Sequence, residues 1–179
     1  MEVALRRARE ADLPRMLEIL KEAKAFLRAN GVDQWQAGYP NEAALREDIA
    51  AGRGYALECG GKVGGFLALC FGEEADYRGI FDGAWQGKEP YACIHRLAVS
   101  SALRGTGAAR CAVLQAEKIA RGCGALTMRV DTHEKNLPMQ RMLERCGYVR
   151  RGKIIIGAGL EAGTERIALE KVLTSCLEK

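Results

Sequence analysis

The sequence lacks most of the features that mark specialised classes of protein. Its 179 residues contain no apolar run of the roughly 18 residues that a transmembrane helix needs, so no membrane association is predicted. Residues 1–7 lack the apolar segment of a secretory signal peptide, and we therefore expect a cytoplasmic protein. The net charge of +4 comes without a basic cluster interleaved with aromatic residues, which argues against nucleic-acid binding.

Metal-binding and redox signatures are also missing. The seven cysteines are an odd number, and no two of them have the two-residue gap of a metal knuckle or a redox motif. His95 and His133 are the two histidines, too few for a usual structural zinc site. We expect reduced cysteines that pack mostly as small buried residues, and no metal.

What is present is an ordinary globular composition, with 48% apolar and 28% charged residues, no repeat and no linker. Such a chain predicts one domain over residues 1–179. Alternating apolar residues predict strands over residues 3–7, 54–59, 63–71, 91–99, 126–131, 148–156 and 165–173. Helical spacing predicts helices over residues 13–29, 42–51, 105–121 and 137–146. This order predicts an α/β (α+β) fold, a mixed seven-stranded sheet flanked by four helices.

The segment after the fourth predicted strand carries the chemical signal. Residues 104–109 read Arg-Gly-Thr-Gly-Ala-Ala and open the third helix. Free N–H groups at a helix start bind anions, and glycines let a phosphate come close to the backbone. On spacing alone, a purely structural turn is the better interpretation. The P-loop lysine and the three-glycine dinucleotide pattern are both absent.

The surrounding residues make the signal specific. Arg104-x-x-Gly107-x-Ala109, placed after the strand that ends in His95-Arg96-Leu97-Ala98-Val99, resembles the pyrophosphate motif of the GNAT N-acetyltransferase superfamily. A second block follows at the family's spacing, with Asn136 and then Gly147-Tyr148 eleven residues later. The resemblance spans nearly the whole chain and is typical of a small bacterial-type member. It implies a largely antiparallel sheet and, as is common in the family, a possible homodimer.

The resemblance also implies a donor, acetyl-CoA, and a reaction, direct attack of a primary amine on the thioester within a ternary complex. The acceptor would be a small molecule or a peptide. The Leu97 amide would stabilise the developing oxyanion. The donor would be bound by Leu97, Ala98, Val99, Arg104, Gly105, Thr106, Gly107, Ala108, Ala109 and Asn136.

His95 is the candidate base or water relay, since an ordinary histidine titrates near pH 6.5. Strand alternation places Tyr91, Cys93, His95, Leu97 and Val99 on one face, so His95 is expected near the acetyl group. The alternative is a partly buried histidine bonded to a neighbour. Asp131, at the end of the next strand, is expected to bond locally.

The acid and the acceptor site are less defined. Many family members have a tyrosine seven residues after the asparagine, and its hydroxyl protonates the leaving thiolate. This position is Leu143 here. The proton donor would then be Cys146, Tyr148 or water, or the thiolate would leave unassisted. Variable segments are expected to form the acceptor pocket, with Trp35, Gln36, Tyr39, Trp85 and His133 as candidates. Leu143 is also compatible with an alternative function, in which the protein binds CoA or acyl-CoA with weak or no turnover. A third alternative is a small oligomerising module with a structural glycine turn.

Overall fold

The computed structural model describes residues 3–173 and contains the elements in the order that the sequence predicts. The strands are β1 (Val3–Arg7), β2 (Gly54–Cys59), β3 (Lys62–Phe71), β4 (Tyr91–Val99), β5 (Thr127–Thr132), β6 (Val149–Ile155) and β7 (Glu165–Val172). The helices are α1 (Leu13–Ala29), α2 (Glu42–Ala50), α3 (Ala108–Gly122) and α4 (Leu137–Arg145). Within the described range, no helix is long and apolar enough to cross a membrane.

The strands form one sheet in the order β1-β2-β3-β4-β5-β7-β6. All neighbours are antiparallel except β4 and β5, which run parallel. α3 and α4 cover one face, where Leu143 and the alanines of α3 pack on β3 and β4. α1 and α2 cover the other face around Phe66 and Ala98. The predicted mixed sheet of seven strands with four flanking helices is therefore confirmed.

β4 contains a bulge that inverts its side-chain alternation. Ala68 lies opposite His95 and Phe66 lies opposite Ala98, so Leu67 of β3 faces two residues of β4. Arg96 takes a φ of 54°, a left-handed conformation that is uncommon for a residue with a side chain. Before the bulge Ile94 packs against α3, and after it Leu97 does. The expectation that His95 and Leu97 share a face is therefore wrong, because the extra residue turns the strand over.

A buried ion pair holds this bulge. The Arg96 guanidinium donates two hydrogen bonds to Asp48 of α2, from Nε at 2.6 Å and from Nη2 at 2.7 Å. Its Nη1 donates to the Tyr39 hydroxyl at 2.6 Å. Burial alone would lower the pKa of Arg96, but the hydrogen bonds to Asp48 outweigh it and raise the pKa. Asp48 also accepts from Arg53, so one carboxylate with 3% of its side chain exposed serves two arginines.

β4 and β5 separate from Ile94 onward, just before the bulge. The two strands pair only between residues 91–93 and 127–129, although β4 continues to Val99 and β5 to Thr132. A parallel sheet is normally paired along its length, so this early end of pairing leaves an opening between the two strand ends. The opening is the feature on which the candidate site depends.

The excursion between β3 and β4, residues 72–90, is anchored at several points. It contains a short 3₁₀ helix, Ala75–Gly79, and Phe81 pairs with Lys153 of β6 as an isolated bridge. The amides of Gln86 and Gly87 both donate to the buried carboxylate of Glu170 at 2.9 Å. These contacts fix the segment beside the opening, where its first residues reach β4.

We predict that Asp48→Asn destabilises the fold by about 3 kcal/mol, because it leaves the buried Arg96 without a carboxylate. Glu47→Gln is the matched control. It removes another Arg53 partner, but one whose side chain is 70% exposed, so its effect should stay within about 1 kcal/mol. The free energy of unfolding from urea titration measures both. Equal effects of the two substitutions would contradict the role given to Asp48.

Candidate active site

The opening between β4 and β5 is part of a cleft of about 1300 Å³. Its walls are residues 94–99 of β4, residues 130–132 of β5, the start of α3 and the inner side of α4. The α1–α2 connection and the β6–β7 connection close its other end. The cleft thus joins the glycine-containing helix start to the His95 region.

The start of α3 is built as an anion site. Gly107 is the residue before the helix and has a φ of 89°, and Gly105 has a φ of 77°. Nothing lies within 4 Å of a Cβ added at either position, so these glycines serve the left-handed backbone and not a lack of space. The first helical bond runs from the Cys111 N–H to the Gly107 carbonyl at 2.9 Å. The amides of residues 108–110 precede it and are left for a ligand.

Arg104 and the residues that follow it lie where the sequence predicts, with one exception. The Arg104 guanidinium stacks 4.5 Å over the Phe26 ring and donates to the Glu22 carbonyl at 3.0 Å. Gly105, Gly107, Ala108 and Ala109 line the cleft with it. Thr106 is not part of the lining, because its hydroxyl turns back and donates to the Leu103 carbonyl at 2.7 Å.

The strand and asparagine positions also reach the cleft. Leu97, Ala98 and Val99 line it. In the described part of the chain, no strand pairs with this half of β4 on its β5 side. Asn136 lines the cleft as well, yet its side chain already caps α4: its oxygen accepts from Met139 N–H at 3.4 Å and its nitrogen donates to the Thr132 hydroxyl at 3.2 Å. Its first role is therefore to fix the start of α4.

His95 lies within a group of acidic residues. Its Nε2 is 3.1 Å from Glu74 Oε1, and its Nδ1 is 4.0 Å from Asp131 Oδ1. The hydrogen bond with His95 lowers the pKa of Glu74, against the opposing effect of burial. The Tyr77 hydroxyl donates to Asp131 Oδ1 at 2.8 Å, and burial raises the pKa of that tyrosine. Two carboxylates therefore bracket the imidazole, Glu74 beside its Nε2 and Asp131 beside its Nδ1.

Sequence reasoning missed part of this group. Glu74 lies in the excursion over residues 72–90, and the length of that segment is the sequence feature that could have indicated a function. Asp131 was expected to bond locally, but its partner Tyr77 is 54 residues away. Both omissions have one cause, since the contacts form only when the excursion folds back on β4 and β5.

Cys70 joins the same group and raises the question of a metal. One donor atom each from Cys70, Glu74 and His95 lie within 4.8 Å of one another. Burial raises the pKa of the Cys70 thiol to about 11, which disfavours the thiolate that a metal needs. Glu74 and His95 are already joined by a hydrogen bond. The arrangement is better suited to proton transfer than to ion binding.

Two of the aromatic residues expected at the acceptor end, Trp35 and Tyr39, line the cleft. The Trp35 amide donates to Glu161 Oε1 at 2.5 Å, which ties the α1–α2 connection to the β6–β7 connection. Glu161 in turn lies 3.1 Å from Nη2 of the buried Arg166, although the approach angle leaves that nitrogen without a hydrogen bond.

Gln36, Trp85 and His133 do not line this cleft, although Gln36 and His133 line an adjoining pocket that shares Gln34, Leu160, Glu161 and Arg166 with it. The Gln36 amide bonds to Arg28 and to two main-chain carbonyls beside α1. Trp85 packs behind the site, where its indole N–H donates to the Tyr77 carbonyl at 2.8 Å. His133 accepts from the Lys135 amide at 3.1 Å, and burial lowers its pKa. In all three cases a local polar contact holds the side chain outside the cleft.

The structure also leaves fewer candidates for the general acid. Leu143 is fully buried, and neither Cys146 nor Tyr148 lines the cleft. The Cys146 thiol lies 3.8 Å from the Met142 sulfur, and the Tyr148 side chain is packed in the core beneath α3. Of the four possibilities, water and an unassisted departure are compatible with this geometry.

Comparisons with known proteins place this architecture in a family. The family model described as the acetyltransferase (GNAT) family matches residues 13–148. A GNAT-family acetyltransferase from Streptococcus agalactiae is 32% identical, with a TM-score of 0.83 and 95% of each chain covered. The PaiA N-acetyltransferase of Thermoplasma acidophilum, solved with coenzyme A, is 16% identical, with a TM-score of 0.68 over 96% of this chain and 99% of its own. No curated protein sequence gives a significant match. The motif-bearing cleft and these matches agree, and the chain belongs to the GNAT family of acetyltransferases.

Proposed function

We propose that this protein is an N-acetyltransferase that transfers the acetyl group of acetyl-CoA to a primary amine of a small molecule or peptide. The observation that supports it most is the continuity of the cleft, which runs from the anion-binding start of α3 to the His95 group. The CoA-bound relative of similar fold supports the same donor. Cytoplasmic location and a homodimer remain predictions.

The donor fits the residues present. The free amides of residues 108–110 and the left-handed glycines suit a pyrophosphate, and the Arg104 side chain adds a positive charge. The unpaired side of residues 97–99 can accept an extended amide-containing arm as an added strand. Bound there, acetyl-CoA supplies an acyl thioester with a good thiolate leaving group.

Four residues of the chain have a role in the proposed reaction. Glu74 and Asp131 attract the ammonium form of the acceptor, and His95, directly or through water, takes one proton from it. The amine nitrogen then forms the new bond to the acyl carbon as the bond to sulfur breaks, and the sulfur leaves as thiolate. The extra proton on the new amide nitrogen is lost to water, which can pass it to the thiolate. The bulge leaves one residue of β4 outside the regular ladder, so the Leu97 N–H is available to the developing oxyanion.

Charged side chains line both ends of the cleft. The end near α3 carries arginines, which suits an anionic donor. The acceptor end carries the carboxylates of Glu74, Asp76, Asp131 and Glu161 together with Arg53, Arg96 and Arg166. Arg53 and Arg96 are paired with Asp48, so Glu74 and Asp131 remain to attract a cationic acceptor. Trp35, Tyr39 and Leu160 add apolar surface, so an acceptor with an apolar portion is favoured.

The first test combines binding and turnover. We expect acetyl-CoA to raise the midpoint of thermal unfolding, and a panel of primary amines to release free thiol from it. Absence of a thermal shift at millimolar acetyl-CoA would refute the donor. A shift without thiol release across the panel would instead favour the alternative, a protein that binds CoA or acyl-CoA with weak or no turnover.

The base is tested by His95→Gln. We expect kcat/KM at neutral pH to fall about 100-fold or more, and its dependence on pH below neutrality to be lost. His133→Gln removes the other histidine, which lies outside the cleft, and should stay within about twofold of the wild type. An unchanged pH profile in His95→Gln would remove the base role.

The Glu74–His95 contact can be measured without turnover. In His95→Ala, the pKa of Glu74 should rise, because burial continues to disfavour the carboxylate while the hydrogen bond that lowers the pKa is gone. Carboxyl-carbon NMR titration follows both forms. The neighbouring Glu73 is the internal control, since its pKa is lowered by Arg78 and should not move.

The lowered pKa of Glu74 also determines how the stability of the fold changes with pH. The pKa of Glu74 is lower in the folded than in the unfolded state, so this group stabilises the fold at neutral pH. That contribution is lost as the pH falls through the folded-state pKa. In His95→Ala the loss of stability in acid should therefore be smaller, and an identical acid profile would contradict the contact.

A further inference from the structure

Arg166 is a buried cation at the acceptor end of the cleft. It lies at the start of β7, and 2% of the residue is exposed. It lines both the cleft and the adjoining pocket. β5 pairs with β7 as far as Thr132 and Ile167, so Arg166 stands one residue beyond the last pair. A charge buried at this position requires hydrogen-bond partners, from the protein or from a ligand.

The protein itself supplies few partners for this guanidinium, which has five N–H donors. Nη1 donates to the Glu165 carbonyl at 2.9 Å, whereas Nη2 is 3.1 Å from Glu161 Oε2 and forms no hydrogen bond. Within the described residues, Glu161 is the only carboxylate within 4.0 Å of Arg166. A buried charged donor without a hydrogen bond is unfavourable, so a well-oriented anion would stabilise it.

Glu161 is itself shared among several groups. Its Oε1 accepts from the Trp35 amide, and its Oε2 lies beside Arg166. It is also close enough to Lys24 to raise the pKa of that amine, although burial lowers the pKa more. One carboxylate therefore balances two cations here, Arg166 and Lys24, so a second carboxylate can be accommodated.

The other charged groups nearby have weaker effects. Burial and the positive charge of Arg166 lower the pKa of His133, so this histidine is neutral near pH 7. The adjoining pocket also carries carboxylates, but they are exposed and water screens them: Asp33, Glu134 and Glu165. The buried guanidinium is screened much less. An anion that reaches it is therefore attracted more strongly than these carboxylates repel it.

Arg166 lies on the same face of the sheet as the proposed ammonium site. Asp131 of β5 pairs with Ala168, and Arg166 is two residues from Ala168 along β7. Residues two apart on a strand share a face and lie about 7 Å apart, so Arg166 and Asp131 point to the same side. Asp131 Oδ1 is in turn 4.0 Å from His95 Nδ1. The acceptor end therefore combines carboxylates beside His95 with a cation farther along the sheet.

We propose that Arg166 binds a carboxylate of the acceptor, so that the acceptor is an amine that also carries a carboxylate, such as an amino acid. This inference rests on the proposed function, because it concerns the acceptor of that reaction. Glu74 and Asp131 attract the ammonium group, and Arg166 binds the carboxylate of the same molecule through charge-assisted hydrogen bonds. Trp35 and Leu160, which also line the cleft, suit an apolar side chain on that acceptor.

The acceptor takes the place beside Nη2 that Glu161 holds in the free protein. Glu161 keeps the hydrogen bond from the Trp35 amide through its other oxygen, and Lys24 still attracts it. Turning Oε2 away from Arg166 therefore removes only one of the contacts of Glu161. In the free protein, Glu161 acts as an internal competitor for the carboxylate of the acceptor.

The test compares amino acids with their carboxamides as acceptors, using leucine with leucinamide and phenylalanine with phenylalaninamide. The wild type should have the lower KM for the acids. In Arg166→Gln the KM for the acids should rise about tenfold or more, because a charge-assisted hydrogen bond to a buried group is lost. We expect kcat to change less than about threefold, since this contact lies away from the reacting atoms, and the KM for the amides less than about twofold. Because the amide also lowers the pKa of its amine, each variant is compared with the wild type on the same acceptor.

Further variants separate loss of binding from damage to the fold. Arg166→Lys keeps the charge without the planar fork and should give an intermediate KM for the acids. Glu161→Gln removes the competing carboxylate and should lower the KM for the acids, opposite to Arg166→Gln, with the amides unchanged. Lys153→Gln is the matched control, since Lys153 lines only the adjoining pocket, where it pairs with the exposed Glu165. It should leave both KM values unchanged.

The possible outcomes distinguish this inference from the proposed function. Equal KM changes for acids and amides in Arg166→Gln, or a wild type without a lower KM for the acids, would overturn the carboxylate site while acetylation of amines stands. A higher KM for the acids in Glu161→Gln would contradict the competition. If Arg166→Gln does not fold, the opposite shifts of Arg166→Lys and Glu161→Gln decide the matter. Absence of thiol release with acids, amides and simple amines alike would overturn the proposed function and this inference with it.

Discussion

The hydrogen-bonded ion pair between Arg96 and Asp48 is the interaction on which the site depends. A left-handed residue with a long side chain in the middle of a strand is unfavourable by itself, and it persists only where its surroundings hold it. Asp48, on α2, supplies two hydrogen bonds from outside the sheet. The bulge so fixed turns β4 over just after its pairing with β5 has ended, and main-chain groups on that side of β4 line the cleft.

The same bulge explains how one strand serves two tasks. Before it, His95 projects toward Glu74, Asp131 and the aromatic ring of Tyr77. After it, Leu97 packs beneath α3, so that its backbone and not its side chain meets the cleft. In a regular strand these side chains would lie on one face, and a leucine would occupy the space beside the histidine. A change of only one residue in register thus separates the proposed proton acceptor from the proposed oxyanion donor.

Much of this molecule was predictable from sequence, and the remainder was not for identifiable reasons. Element order follows from periodicity and from glycines, and the start of α3 follows from Gly105 and Gly107 before an apolar helix. The bulge was not predictable, because Arg96 carries no local signal for a left-handed backbone and its partner Asp48 is 48 residues earlier. Glu74 likewise becomes part of the site only through tertiary folding.

Arg96 also links the donor strand to the acceptor end of the cleft. Its third hydrogen bond reaches the hydroxyl of Tyr39, which lies in the α1–α2 connection. The same connection is tied by the Trp35 amide to Glu161 in the β6–β7 connection. The two segments that face the acceptor are therefore anchored to each other and to the strand that carries the proposed base. In the proposed reaction, the side chains between these anchors would select the acceptor, whereas β4 would set the geometry of acyl transfer.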